Sequence, residues 1–277
     1  MLSLLEEVAG RPRREVAVSG GSYGERVRKS EPLAYWRLEE MEGPVALDAS
    51  GQNHHAVFEP GIAHFLPGAD GRAGFQPAQP PAPNAFSGPA VNRAAHFAGG
   101  RMKAKLPPGD HYSIELWLWN GLPADVRPVT GWFLSRGPDG DAGASGEHLG
   151  IGGTFQGADS GGPDVSGRLI LLHGHEGGPQ AAGRTPLAFR AWHHVVLVRE
   201  GVKVRVHLDG RPEPEISGEF ALTVPTGAGG VFFGGRSDGS CGLEGKLDEI
   251  AVYPRALSPE EIAAHHAAAG LTPPRKG

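Results

Sequence analysis

The sequence predicts an all-β antiparallel sandwich closed by a short C-terminal helix, and three observations carry that prediction. Several segments alternate apolar and polar residues with period two: Val202, Val204, Val206 and Leu208 alternate with Lys203, Arg205 and His207. The 277-residue chain holds 44 glycines and 25 prolines, which suits the many turns of an antiparallel fold. Its one cysteine, Cys241, cannot form an internal disulfide, so the fold rests on its core, with or without a metal. Sandwiches of about this length are routinely one unit.

In chain order, residues 1–31 read as an N-terminal appendage. Leu2, Leu4, Leu5 and Val8 are spaced for one or two helical turns, and the polar stretch that follows to Lys29 reads as a docked strand or a lead-in. The patterned domain spans 32–270, and 271–277 is a tail. Residues 32–38, with Tyr35 and Trp36, form the first strand. The proline-rich stretch 68–92 reads as a long surface loop. In the strand 113–119, Ile114, Leu116 and Leu118 face one way and Glu115, Trp117 and Trp119 the other. Large apolar groups on both faces imply that the second face is covered by another element or by a ligand. Residues 137–167 read as a second long loop, glycine-rich, with acids at Asp139, Asp141, Glu147, Asp159 and Asp164. A strand resumes at 168–172. The runs 192–199 and 202–208 flank Glu200-Gly201 as a hairpin, and Asp209-Gly210 turns the chain again. Residues 231–233 and 246–253 supply two more strands. Ser258 caps the closing helix, Pro259 starts it, Glu261 completes a capping box and Gly270 ends it.

The net charge of −5 argues against a nucleic-acid partner, and the short cluster Arg11, Arg13 and Arg14 reads as a solvated tail. No apolar run approaches the roughly 18 residues that cross a bilayer, so no membrane insertion is expected. Residues 1–10 carry two acids and no basic region, unlike a secretory signal. The chain is therefore expected to be either cytoplasmic or a module of a larger exported protein.

A set of segments occurs in a recognisable order. Ala34-Tyr35-Trp36-Arg37-Leu38 is followed by Asp48-Ala49-Ser50-Gly51-Gln52-Asn53 and Ala95-His96-Phe97-Ala98-Gly99. Tyr112-Ser113-Ile114-Glu115-Leu116-Trp117, Trp192-His193-His194-Val195-Val196 and Val206-His207-Leu208-Asp209-Gly210 come next. The closing segment is Leu247-Asp248-Glu249-Ile250-Ala251-Val252-Tyr253-Pro254-Arg255-Ala256-Leu257-Ser258. Together, across about 32–270, they resemble the laminin-G-like, concanavalin A-like lectin/glucanase jelly-roll modules common in bacterial extracellular proteins. The resemblance implies a two-sheet antiparallel jelly-roll sandwich, a late helix packed at one edge, and ligand sites on rim loops or the concave face, often beside calcium. It implies a carbohydrate or protein ligand, and an extracytoplasmic setting where the chain is part of a longer protein. The stretch 137–167, the proline-rich loop and the absent disulfide depart from the pattern.

Cleaving a glycan takes two carboxylates on one face flanking the bond. The nearest candidates, Asp248 and Glu249, are adjacent on a strand and so point to opposite faces. Ser166 and Ser240 sit in loops without a nucleophile elbow, and the glycine-rich 234–239 lacks a Walker lysine. The expectation is a non-catalytic binding module for a carbohydrate or protein ligand. The alternatives are a glycan-active hydrolase or lyase on the same fold, and a structural spacer or anchor within a larger protein. Trp119 and Arg136 are the candidate ligand contacts, because flat aromatic surfaces stack on sugars and planar guanidinium groups orient hydroxyls or carboxylates; Trp117 reads as core. His173 and His175, two apart at a strand end, share a face; with Glu176 or His207 they suit a transition metal, and otherwise they are rim histidines. The adjacent pairs His54-His55, His193-His194 and His265-His266 point apart and read as packing. Asp48 and Asn53, with Asp248 from the last strand, offer oxygen ligands for calcium; the alternative is an Asx-turn at Asp48.

Overall fold

The computed structural model describes residues 22–69, 74–75, 92–106, 109–140, 146–154, 164–174, 180–221, 224 and 230–271. Helix α1 (Ser22–Lys29) precedes β1 (Ala34–Trp36), β2 (Val45–Ala46), β3 (Ala56–Phe58), β4 (Ile62–Pro67), β5 (Arg93–Ala98) and β6 (Met102–Lys105). The central strands are β7 (His111–Asn120), β8 (Val129–Arg136), β9 (Gly146–Gly152), β10 (Arg168–Gly174) and β11 (Gln180–Pro186). Then follow β12 (Trp192–Glu200), β13 (Lys203–Leu208), β14 (Ile216–Glu219), β15 (Gly230–Phe233), β16 (Glu244–Tyr253) and helix α2 (Pro259–Ala268). Two antiparallel sheets result. The first runs β14-β13-β12-β7-β16-β5-β4, with β1 also on β16; the second runs β11-β10-β9-β8-β15-β6-β3-β2.

Period-two alternation decides what lies between the sheets. Ile114, Leu116 and Leu118 of β7, Val195 and Leu197 of β12, and Val204, Val206 and Leu208 of β13 face Phe133, Leu149, Leu171 and Phe233 in one continuous apolar core. The hairpin β12–β13 forms as its sequence requires: Val195 pairs with Leu208 and Glu200 with Lys203, and Gly201 takes the positive φ of 60° at the turn. Helix α2 has the expected start. Ser258 Oγ accepts from Glu261 N–H, and the Glu261 carboxylate accepts from Ser258 N–H at 2.9 Å. Gly270, at φ 69°, ends it.

Two expectations are corrected. Residues 22–29, read as a polar strand or lead-in, are a helix, because Tyr23 and Val27 lie four apart and present one buried face to the first sheet. The stretch 137–167 is not one loop. Gly146–Gly152 is the fully buried strand β9 between β8 and β10, where its glycines pass close to Trp132 and Arg136. The residues 1–21 and most of the proline-rich stretch lie outside the described residues.

Candidate functional site

The outward face of the first sheet carries the chemistry. Residues two apart on a strand share a face, and the registers of β7 with its neighbours stack the outward side chains into rows. One row is Trp192, Trp119, Lys246 and His96, crossing β12, β7, β16 and β5. The next is His194, Trp117 and Asp248. A third is Val196, Glu115, Ala251 and Tyr35.

The second and third rows are roofed. Helix α1 sets Tyr23 and Val27, and helix α2 sets Ile262, His265 and His266, against Trp117, Val196 and Tyr253. The His266 ring stacks on Trp117 at 5.7 Å, and Phe75 meets that indole edge-on at 5.3 Å. Beneath the roof, Glu115 is fully buried and accepts four hydrogen bonds: from Tyr23 Oη at 2.8 Å, His194 Nε2 at 2.7 Å, Tyr253 Oη at 2.8 Å and His265 Nδ1 at 2.8 Å. Burial would raise its carboxyl, but the charge and hydrogen bonds of His265 and His194 outweigh that and hold it well below the ordinary carboxylate range. The same burial, with Glu115 beside them, pushes the Tyr23 and Tyr253 phenols up. His265 reaches Ser30 Oγ at 2.9 Å on the cleft between the helices. With every lone-pair direction of Glu115 taken by donors from α1, β12, β16 and α2, the cluster ties those four elements to β7.

The first row is only partly covered, with Trp192 packed against the edge of the roofed cluster. Of the five tryptophans, Trp36, Trp117 and Trp132 are buried; the two left half-buried, Trp119 and Trp192, are cross-strand neighbours in this row. Lys246 Nζ lies 4.9 Å from the Trp119 ring centre and 5.9 Å from that of Trp192, and donates to the Pro67 carbonyl at 2.9 Å. Burial draws the ammonium below its ordinary pKa, with Asp248 opposing. His96 sits 6.5 Å from Trp119 and is held by Glu244 at 3.2 Å. With strands about 4.8 Å apart, the four positions span about 14 Å, the reach of a short oligosaccharide.

The other expected site residues are dispersed. Arg136 and His173 are buried, not at a rim. They lie on the second sheet around Glu147, which accepts from Tyr112 and, at 3.1 Å, from Arg199. The Arg136 guanidinium sits 5.0 Å over Tyr112, and His173 stacks on Phe220 at 4.6 Å. Neither meets Trp119. His175 and Glu176 lie outside the described residues.

Asp48 realises the turn alternative. Its carboxylate accepts from the backbone N–H of Tyr35, Ser50 and His54 and from Ser50 Oγ, at 2.8–2.9 Å. Asp248 is engaged separately, by Ala69 N–H at 3.1 Å and Asn92 Nδ2 at 2.6 Å, and burial, with Glu249 beside it, pushes its carboxyl well up. Asn53 takes a left-handed φ of 66° in the turn. Asp48 and Asp248 are thus held by different sets of donors. Among the described residues, no three His, Cys, Asp or Glu side chains gather as a metal site.

The expectation that Asp248 and Glu249 point to opposite faces is also corrected. A β-bulge lies between Asp248 and Ala251, with Glu249 at φ 50°, so the alternation skips a beat. Glu249 accepts from Tyr35 and Arg37, which reach it from β1 and the residue after it; both acids thus serve the outward side. Both are buried and held by donors. The adjacent histidines do point apart in β12: His193 bonds Asp209 at 3.0 Å while His194 turns to Glu115. His265 and His266 instead both face the sheet, because neighbours on a helix diverge by far less than neighbours on a strand.

Trp192, Lys246 and His96 had a sequence signal, alternation that puts each on an outward face, but no local pattern gives the register that aligns them.

Two stacked antiparallel sheets with a short C-terminal helix define a jelly-roll sandwich. The laminin-G model of the concanavalin A-like lectin/glucanases superfamily matches residues 101–263, and the chain belongs to that family. No curated protein sequence matches it. Among solved structures it is similar to domain 4 of an extracellular arabinanase from Geobacillus stearothermophilus, in complex with arabinotriose. That match has 16% identity, covers 85% of this chain and 98% of that one, and has a TM-score of 0.55. The binding domain of Paraclostridial Mosquitocidal Protein 1 is similar at 12% identity, 86% and 52% coverage and a TM-score of 0.57. A mutant Trypanosoma rangeli sialidase displaying trans-sialidase activity is similar at 16% identity, 89% and 35% coverage and a TM-score of 0.54. The chain thus spans about half of the mosquitocidal binding domain and a third of the sialidase. At these identities the likeness is one of fold.

Proposed function

We propose that the chain is a non-catalytic carbohydrate-binding module that lays a short oligosaccharide along Trp192, Trp119, Lys246 and His96. One observation carries the reading: the two tryptophans the fold leaves half-buried stand side by side at the edge of the helical roof on the outer face of the first sheet. Indole faces suit the C–H surfaces of sugar rings, and the flanking Lys246 and His96 supply polar groups that orient hydroxyls. A domain of similar fold holding arabinotriose is consistent with that use. The non-catalytic reading is supported by the carboxylates near this face. Glu115, Asp248 and Glu249 are buried and saturated or held by protein donors, and the more exposed Glu244 is paired with His96, whereas a hydrolase needs two carboxyl groups free to reach the bond.

Tryptophan fluorescence during titration with a panel of linear oligosaccharides tests this, arabinotriose included. The expected result is saturable quenching by at least one of them, weakened about tenfold by Trp119→Ala or Trp192→Ala, in line with about 1.4 kcal/mol for one stacking interaction removed. Binding that survives both substitutions, or capture of protein ligands alone, would overturn the reading.

A further inference from the structure

We propose that the saccharide this row takes is acidic, its carboxylate received by Lys246; this deepens the platform reading above and rests on it. Several strand cations in this protein meet carboxylates, whereas Arg93 and Arg136, like Lys246, lie over aromatic rings. Arg101 and Lys103 share Glu59 and Asp139, and Arg199 holds Glu147. Lys246 stands in the centre of the row with its ammonium between two indoles, and its hydrogen bond goes to a neutral acceptor, the Pro67 carbonyl. No carboxylate among the described residues lies within ion-pair distance of it. Of the two acids two residues away on its strand, Asp248 is fully buried behind Asn92 and Ala69, and its carboxyl is pushed up, so it supplies little compensating charge. Glu244, equally near on the same strand, is engaged by His96 at 3.2 Å.

The row therefore presents one half-buried positive charge flanked by aromatic faces. The ammonium lies over the Trp119 ring, 4.9 Å from its centre, so a sugar ring that stacks on this indole meets the charge beside it. A sugar carboxylate projecting from that ring meets the ammonium while the ring keeps the stacking surface. A charged hydrogen bond in such a partly desolvated setting discriminates about tenfold or more against a neutral group of the same shape. Lysine, a point charge on a flexible stem, can swing from Pro67 to that carboxylate without disturbing the sheet.

The test pairs probes that differ in charge: trigalacturonate against its methyl ester, and sialyllactose against lactose. Each is titrated by calorimetry at low and at physiological salt into the wild type, Lys246→Met, Trp119→Ala and Trp192→Ala, with melting curves to show that the variants are folded. The inference predicts at least one acid binding about tenfold tighter than its neutral partner, a preference that shrinks with salt. Lys246→Met, which keeps the apolar stem, should erase that preference, so that the acid and its neutral partner bind this variant alike. Equal binding of acid and neutral probes, unchanged by Lys246→Met but lost in Trp119→Ala, would overturn the acidic preference and leave the platform standing. Binding of none of the four would overturn the acidic preference, and binding untouched by both Trp119→Ala and Trp192→Ala would overturn both readings.

Discussion

Trp117 and Trp119 are two residues apart on one strand and one face, yet they have opposite fates. Trp117 is roofed by His266, Phe75 and Tyr23 and is 1% exposed; Trp119 has a flexible lysine for a neighbour and stays half-buried. The boundary is set by how far α1 and α2 extend over the sheet. Under the roof, polar groups are locked by reciprocal hydrogen bonds around one carboxylate. Outside it, the same sheet carries aromatic rings and a cation whose partners are few. A face of one composition is thus divided into a part that stabilises and a part left available to a ligand, and substitutions on the two sides should behave differently.

The largest effect should come from Glu115→Gln. The amide keeps the shape but loses the charge, and it cannot accept from Tyr23, His194, Tyr253 and His265 together. Leaving buried partners of a charged group uncompensated costs about 3–5 kcal/mol, so the urea midpoint should fall steeply, with loss of protection in α1 and α2 by hydrogen exchange. A loss below about 1 kcal/mol would show that the cluster is not what fastens the helices, and the contrast between the two halves would fail.

Acid should reach the roofed half next. Burial, with the charge of His194 added, takes His266 down to about 4 in the folded chain, below the ordinary histidine value of about 6.5. The unfolded chain therefore takes up this proton more readily, so the ring's contribution is intact above about pH 6.5 and lost as pH falls towards 4. The full swing is on the order of 3 kcal/mol. His148, brought to about 4 by burial and then by Arg236, acts in the same direction. His266→Phe keeps an aromatic ring on Trp117 and should flatten the slope of stability between pH 6.5 and 4. An unchanged slope would place the acid sensitivity elsewhere.

Much of this architecture is legible in the residues. The alternation 202–208, the glycine turn before it, the capping box at Ser258 and the two-faced strand through Ile114 and Trp117 all report local physics, and all appear in the fold. The short strands Val45–Ala46 and Ala56–Phe58 and the glycine-rich β9 have too few patterned positions to declare themselves. The candidate site was half visible. Trp119 stands out by residue type, but Arg136 and His173 do too, and they prove to be interior partners of Tyr112, Phe220 and Glu147. What distinguishes them is cross-sheet register and the reach of two helices, both non-local. The bulge that turns Glu249 to the outward side is invisible to a rule of strict alternation.

The smallest effect on stability, and the sharpest test of the division, is Trp119→Ala. Truncating a buried tryptophan such as Trp117 costs about 3–5 kcal/mol, because a cavity opens among fixed neighbours. The Trp119 ring instead has an ammonium at 4.9 Å and a histidine at 6.5 Å beside it, both on side chains that can relax into the space it would vacate. A change within about 1 kcal/mol is therefore expected by chemical denaturation, alongside the loss of saccharide quenching. Were Trp119→Ala to cost as much as Trp117→Ala, the indole would be part of the roofed core, and the aromatic row would be packing that happens to reach the surface.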